Sequence, residues 1–177
     1  YCGGMAPGHE LYGYLPGGAS GGILPARLAD VPLDFDTLQP HGCFIGSAAI
    51  IVLGQHDRAR DAALNMMRFF AHESCGFCTP CRVGTQLQKK ILEKIQSGHG
   101  TASDLEELKR LGHILKTMSH CGLGSSAANP VLDILEKFPD MYESKLKAFA
   151  FEPAFDLDGA LETARKITGR DDEWAHL

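Results

Sequence analysis

Four cysteines constrain this chain more than any other feature. Cys75, Cys78 and Cys81 form C-x-x-C-x-x-C, and Cys121 stands forty positions after Cys81 in the run His120-Cys121-Gly122-Leu123-Gly124. Three thiols at that pitch can point into one small volume when their loop curls. A 4Fe–4S cubane takes four thiolates, one per iron, and a tight triplet with a remote fourth is a common way to supply them. Structural zinc usually draws on two separated C-x-x-C or Cys/His pairs, which this chain lacks. A redox C-x-x-C needs only two cysteines. The spacing favours an iron–sulfur cluster on Cys75, Cys78, Cys81 and Cys121, with zinc, and a disulfide or free thiols, as the alternatives.

At 177 residues the chain can bury a proper core in one domain or two small ones. A net charge of −5 argues against nucleic acid, which wants a basic face. No apolar run reaches the roughly 18 residues of a membrane span. Tyr1-Cys2-Gly3-Gly4 lacks the basic start and apolar core of a signal peptide. Six cysteines could pair, but the close triplet points to a metal site in a reducing, cytoplasmic compartment. The chain opens on Tyr1 in mid-pattern and reads as part of something longer.

Residues 1–56 are rich in Gly and Pro and read as a small β-rich unit with one short helix at most. Tyr12-Gly13-Tyr14-Leu15 runs into the turn signal Pro16-Gly17-Gly18. Ile50-Ile51-Val52-Leu53 reads as a buried strand. The glycine-rich stretch from Gly17 to Gly22 has no lysine after it and no strand–loop–helix frame, so it is a hairpin turn and not a phosphate cradle. Residues 57–150 read as a helical bundle. Asp57 caps a helix to about His72 with Ala62, Met66, Phe69 and Phe70 on one side. Pro80 opens the next helix, striped by Val83, Leu87, Ile91 and Ile95. Ser103 and Glu106 form a capping box for a third, striped by Leu105, Leu108, Gly112, Leu115 and Met118, which stops at the Cys121-Gly122 turn. Asn129-Pro130 opens a short helix through Phe138, and Pro139 opens another to about Phe149. A peripheral tail, 151–177, carries a helix over Leu157 to Thr168 with Gly169 as its stop. The fold class is α+β, with the cysteines at helix ends.

Helix N-termini expose unpaired N–H groups and a positive dipole end. The helix at Pro80-Cys81 is placed to offer both to an anionic cluster. Gly76, Gly84, Gly122 and Gly124 let backbone approach closely. Arg82 adds positive charge or is an ordinary solvated arginine. His72 and His120 flank the site, but four cysteines already close it. His9, His41, His56, His99, His113 and His176 form no ligand pattern. Cys43 reads as a small buried apolar residue, and Cys2 as the same. Asp104, Glu106 and Glu107 read as caps and solvated faces.

The run Glu73-Ser74-Cys75-Gly76-Phe77-Cys78-Thr79-Pro80-Cys81-Arg82-Val83-Gly84 resembles the cluster region of the NADH-oxidising flavoprotein, or diaphorase, subunit family. That family includes the complex I flavoprotein subunit and the diaphorase subunits of NAD-reducing hydrogenases and NAD-linked formate dehydrogenases. Cys121 stands where the family's fourth ligand would. Leu15 to Ser20, Pro32 to Asp36 and Gly46-Ser47-Ala48 resemble the family's β-grasp-like SLBB domain. The ending Phe151 to Asp158, with Gly169-Arg170-Asp171-Asp172, is most similar to the soluble formate dehydrogenase and hydrogenase branch, formate dehydrogenase first. The resemblance implies an electron relay between FMN and a neighbouring iron–sulfur subunit. The implied partners are a flavin-binding N-terminal part of the same subunit, a 2Fe–2S thioredoxin-like subunit and a catalytic iron–sulfur subunit with molybdenum or tungsten. The family's glycine-rich flavin and NAD motif does not occur here. FMN and NAD therefore belong outside these residues, and no catalytic residue is expected among them. Two rivals remain: a zinc-stabilised structural module and a free, ferredoxin-like carrier.

Overall fold

The computed structural model describes residues 2–148 and 156–171. Tyr1, the far end of the helix expected to reach Phe149, most of the Phe151–Asp158 ending and Asp172 lie outside the described residues. The first part builds a small antiparallel sheet from β1 (Leu11–Leu15), β2 (Leu24–Pro25) and β3 (Ile51–Gly54), in the order β2-β1-β3. Tyr14 sits opposite Leu24 on one side and Val52 on the other. Successive strand residues face opposite sides of a sheet, and at β1 both sides are covered. Tyr14 joins an apolar cluster with Leu24, Leu38 and Cys43, while Leu15 joins the main core with Leu53 and the helices. The glycine-rich turn links the antiparallel pair β1 and β2, as the sequence implies.

Two expectations for this part change. Between the strands lie two 3-10 turns, Ala26–Leu28 and Gln39–His41, where one short helix at most was expected. The Ile50–Leu53 run is not a buried strand. β3 lies at the sheet edge, so Ile50, Ile51 and Val52 stay 51%, 41% and 50% exposed, and the burial begins at Leu53.

The helical part comprises α1 (Ala59–Glu73), α2 (Thr79–Gln96), α3 (Ala102–Met118), α4 (Gly122–Ser126), α5 (Asn129–Lys137), α6 (Asp140–Glu143) and α7 (Leu157–Thr168). α1 packs on α2 and α5, and α3 packs on α2, α4 and α5. The expected stripes are buried at Met66 and Phe70 in α1 and at Leu108, Gly112 and Leu115 in α3, but the α2 stripe shifts. In α2 the buried face is Cys81, Gly84, Thr85, Gln88, Leu92 and Ile95, one step round from the expected stripe. Val83 and Leu87 are 43% and 40% exposed. Gln88 fits inside because its amide donates to the Leu108 carbonyl at 2.9 Å. Phe69 and Met118 are likewise exposed, at 50% and 63%.

The caps shift too. Asp57 does not cap α1; Arg58 holds that position. The Asp57 carboxylate instead accepts the Gly54 N–H at 2.7 Å and closes the turn out of β3. The capping box of α3 is Thr101 with Asp104, two residues before the expected pair. The Thr101 N–H and hydroxyl both donate to Asp104 Oδ2 at 2.9 Å. Glu106 and Glu107 pair with Lys109 and Arg110 on the solvated face, as expected. The helix after Pro139 is one turn, ending at Glu143, because the chain then bridges Leu146 to Gly100. α7 matches its expected bounds: the Asp156 carboxylate accepts the Gly159 N–H, Gly169 ends the helix at φ 61°, and none of its residues is buried.

α5 fastens the sheet to the bundle through polar groups. The Ile23 N–H donates to Asp133 Oδ2 at 2.8 Å. Lys137 Nζ lies 3.1 Å from Asp133 Oδ1 and donates to the Ile23 and His41 carbonyls at 3.0 and 2.7 Å. Asn129 Nδ2 donates to the Ser20 carbonyl at 3.0 Å. Cys43 is part of this network and not merely apolar filling: its Sγ lies 3.7 Å from Asp133 Oδ2 and 3.5 Å from Lys137 Nζ. Burial, then the Asp133 charge, push its thiol up to about 11, so it stays protonated and unreactive.

Candidate metal centre

The remote position of Cys121 follows from helix arithmetic. α2 has 18 residues and α3 has 17. At 1.5 Å per residue each arm runs about 26 Å. The two form a helical hairpin, so the chain leaves the triplet along α2 and returns to the same end along α3. Cys78 is the N-cap residue of α2 and Cys121 that of α4, both with extended backbone.

Cys78, Cys121 and Cys75 all lie within electrostatic reach of Cys81 at that end. Cys81 is buried and packs with Cys78 on Leu115, Ala128, Leu123 and Leu132; Cys75 and Cys121 are exposed. Burial pushes the Cys81 thiol up, and a contact of 3.3 Å with the Ser74 hydroxyl opposes that. Backbone N–H groups of His120 and Cys81, in that order, draw the Cys78 thiol down. His120 thus serves through its backbone, while its ring meets Phe77 edge-on at 5.5 Å. His72 lies exposed in the last turn of α1. Cys2 is exposed, not the small buried residue expected. Apart from His176, which is not described, the other histidines join no ligand group among the described residues; the His9 and His56 rings meet edge-on at 5.7 Å.

Arg82 does more than add charge. Its Nη1 donates to the Gly76 carbonyl at 2.8 Å and clasps the cysteine loop. Gly76 sits at φ +79°, a left-handed turn that side chains resist. Gly124 is needed for close approach: a Cβ there would lie 2.5 Å from Ser119 Oγ and 3.0 Å from Cys81 Cβ. Gly122 has open space around it and Gly84 packs on Leu115, so neither serves the thiols in the way expected. Gly124→Ala should cost about 1–3 kcal/mol, the usual range for overpacking, and lower iron retention. Urea melts with iron analysis check this.

Among the described residues no three His, Cys, Asp or Glu side chains stand close enough to hold one metal ion. Tetrahedral zinc with bonds near 2.3 Å would need sulfurs about 3.8 Å apart. A cubane spreads its four ligands over four irons and so takes a wider set. Residues 61–145 match the family described as the NADH-ubiquinone oxidoreductase-F iron-sulfur binding region.

The stretch from residue 61 to 145 belongs to that family.

Its cofactor is a 4Fe–4S cluster. The chain is 36% identical to a Streptomyces coelicolor protein, the F polypeptide of NADH-quinone oxidoreductase, over 154 residues, 86% of this chain and 34% of that protein. It is 36% identical to HndC, a polypeptide of the NADP-reducing hydrogenase of Solidesulfovibrio fructosivorans, over 80% of this chain and 29% of that one. A crystal structure of NAD+-reducing NiFe hydrogenase in the H2-reduced state aligns at TM-score 0.70 and 40% identity, covering 94% of this chain and 28% of that one. The chain therefore spans about a third of the curated relatives it matches. It corresponds to the C-terminal part of the NADH-oxidising flavoprotein subunit family. No helix among the described residues is long and apolar enough to cross a membrane.

Proposed function

We propose that Cys75, Cys78, Cys81 and Cys121 ligate the cluster, and that the chain is the electron-relay part of an NADH-oxidising oxidoreductase subunit. The observation that carries this is the gathering of four thiols at one end of the helical hairpin, inside the matched iron–sulfur region. When bound, such a cluster exchanges single electrons and no hydride. The protein's own groups hold it and set its surroundings. Cys81 anchors from the buried side, the N–H groups of His120 and Cys81 face the Cys78 sulfur, and Arg82 keeps the loop curled.

In this reading residues 1–56 are the SLBB-like, β-grasp-like domain, 57–150 the cluster bundle and 151–177 a tail. The family match beginning at residue 61 supports the first boundary. Hydride transfer belongs to a flavin, which the protein binds and orients elsewhere. FMN, NAD and the partner iron–sulfur subunits are supplied by the parent assembly, in the cytoplasm. The named relatives are quinone-linked and hydrogen-linked enzymes. The finer reading, formate dehydrogenase, rests on the chain ending alone; formate-driven against hydrogen-driven NAD reduction by the intact enzyme separates the two.

Metal analysis tests the core of the proposal. Iron and acid-labile sulfide should each come to about four per chain. One zinc per chain without sulfide would refute it. Anaerobic NADH should then bring up the paramagnetic resonance signal of a reduced 4Fe–4S cluster in the intact protein. Residues 1–177 alone should show no such signal with NADH.

A further inference from the structure

From the contact between Ser74 Oγ and Cys81 Sγ, at 3.3 Å, we infer that Ser74 is a positioning residue that raises the cluster's reduction potential through Cys81. This rests on the ligand set proposed above.

A thiol that ligates metal must be deprotonated, and a thiolate can only accept. The Ser74 hydroxyl is therefore the donor. Among the described residues it has no other hydrogen-bond partner. Its position is fixed on both sides. The Ser74 N–H bonds to the Phe70 carbonyl at 3.1 Å at the end of α1, where Phe70 is 3% exposed. The Gln86 amide on α2 donates to the Ala71 carbonyl at 3.1 Å, tying that helix end to the helix carrying Cys81.

The choice of cysteine matters. Cys75 and Cys121 are exposed and can take hydrogen bonds from water, whereas Cys81 is 5% exposed. Water cannot replace a lost donor there, and a hydrogen bond counts for more in a dry environment. Adding an electron makes the cluster and its thiolates more negative, so a donor on the sulfur favours the reduced form. Ser74 supplies that donor from outside the ligand set.

The test is a redox titration followed by paramagnetic resonance, on the intact cluster-loaded protein and its Ser74→Ala and Ser74→Thr variants, with iron and sulfide measured on each sample. Ser74→Ala should keep its cluster and show about a tenfold lower ratio of reduced to oxidised cluster at a fixed ambient potential, about 59 mV for one electron. Ser74→Thr keeps the hydroxyl and should restore the wild-type ratio. Deuterium exchange should reveal one hydrogen-bonded deuteron coupled to the wild-type cluster that Ser74→Ala lacks. A fully loaded Ser74→Ala protein with unchanged potential overturns the inference, as does one that cannot hold the cluster at all. Metal analysis showing zinc in the wild type would instead sink the ligand proposal beneath it.

Discussion

Replacing Cys121 with alanine should lower the melting temperature by about 8–16 °C and strip the cluster. In the proposed ligand set, a cluster joining Cys81 to Cys121 would act as a cross-link over forty positions. By the loop-entropy relation for such links that is about 4 kcal/mol. Each kcal/mol shifts the midpoint by about 2–4 °C for a chain of this length. The physical ground is local. The four thiols sit at the tips of α1, α2 and α4, and the apolar packing there is the small cluster around Leu115 and Ala128. The rest of the core lies along the helices and sheet. Metal binding free energy is then folding free energy for this end of the bundle. Circular dichroism melts with iron analysis would show it. A cluster-free Cys121→Ala protein melting at the wild-type temperature would refute the claim.

The second large effect lies at the other junction. Lys137→Met should cost about 3–5 kcal/mol at neutral pH, the range for breaking a buried ion pair from one side. Both side chains are 10% exposed. The substitution strands the Asp133 carboxylate and removes the donor to the Ile23 and His41 carbonyls. Burial already holds the Asp133 carboxyl above the usual range, with Lys137 pulling it back down. A carboxyl raised in the folded state adds stability below its unfolded pKa, and that stability is lost as pH rises through the folded pKa. Without Lys137 the rise is larger. The deficit should therefore be greatest near neutrality and shrink as pH falls through that raised pKa. Urea unfolding at acid and neutral pH would measure it, and a deficit that grows on acidification would disprove the assignment.

The cysteine pattern of the proposed centre is local in the sequence in a way that the core is not. C-x-x-C-x-x-C and Cys121 carry their chemistry in residue type, and Pro80 marks a helix start whatever packs against it. The α3 stripe was right at Leu108, Gly112 and Leu115, but the α2 stripe was off at Val83 and Leu87 because hydrophobicity alone cannot see Gln88 satisfied by the Leu108 carbonyl, nor that Phe69 and Met118 stay outside. Ser103-Glu106 fits the capping pattern as well as Thr101-Asp104 does, and only where the chain enters α3 decides between them. Asp133 and Lys137 show a helical i, i+4 spacing that ordinarily means a solvated pair. Their burial depends on a loop more than a hundred positions away, which no local pattern reports. Ser74 was visible as a residue, but its contact needed α1 and α2 to be set side by side.

The matched arms of α2 and α3 also impose an order on synthesis. At about 5–20 residues per second the ribosome delivers Cys121 roughly 2–8 s after Cys81. Until then the triplet can offer three thiols and no fourth. α3 must also lie down along α2 before the fourth reaches them. With the proposed ligand set, a complete site would exist only after the helical hairpin closes, and a nascent chain halted before Cys121 would carry three of the four thiols.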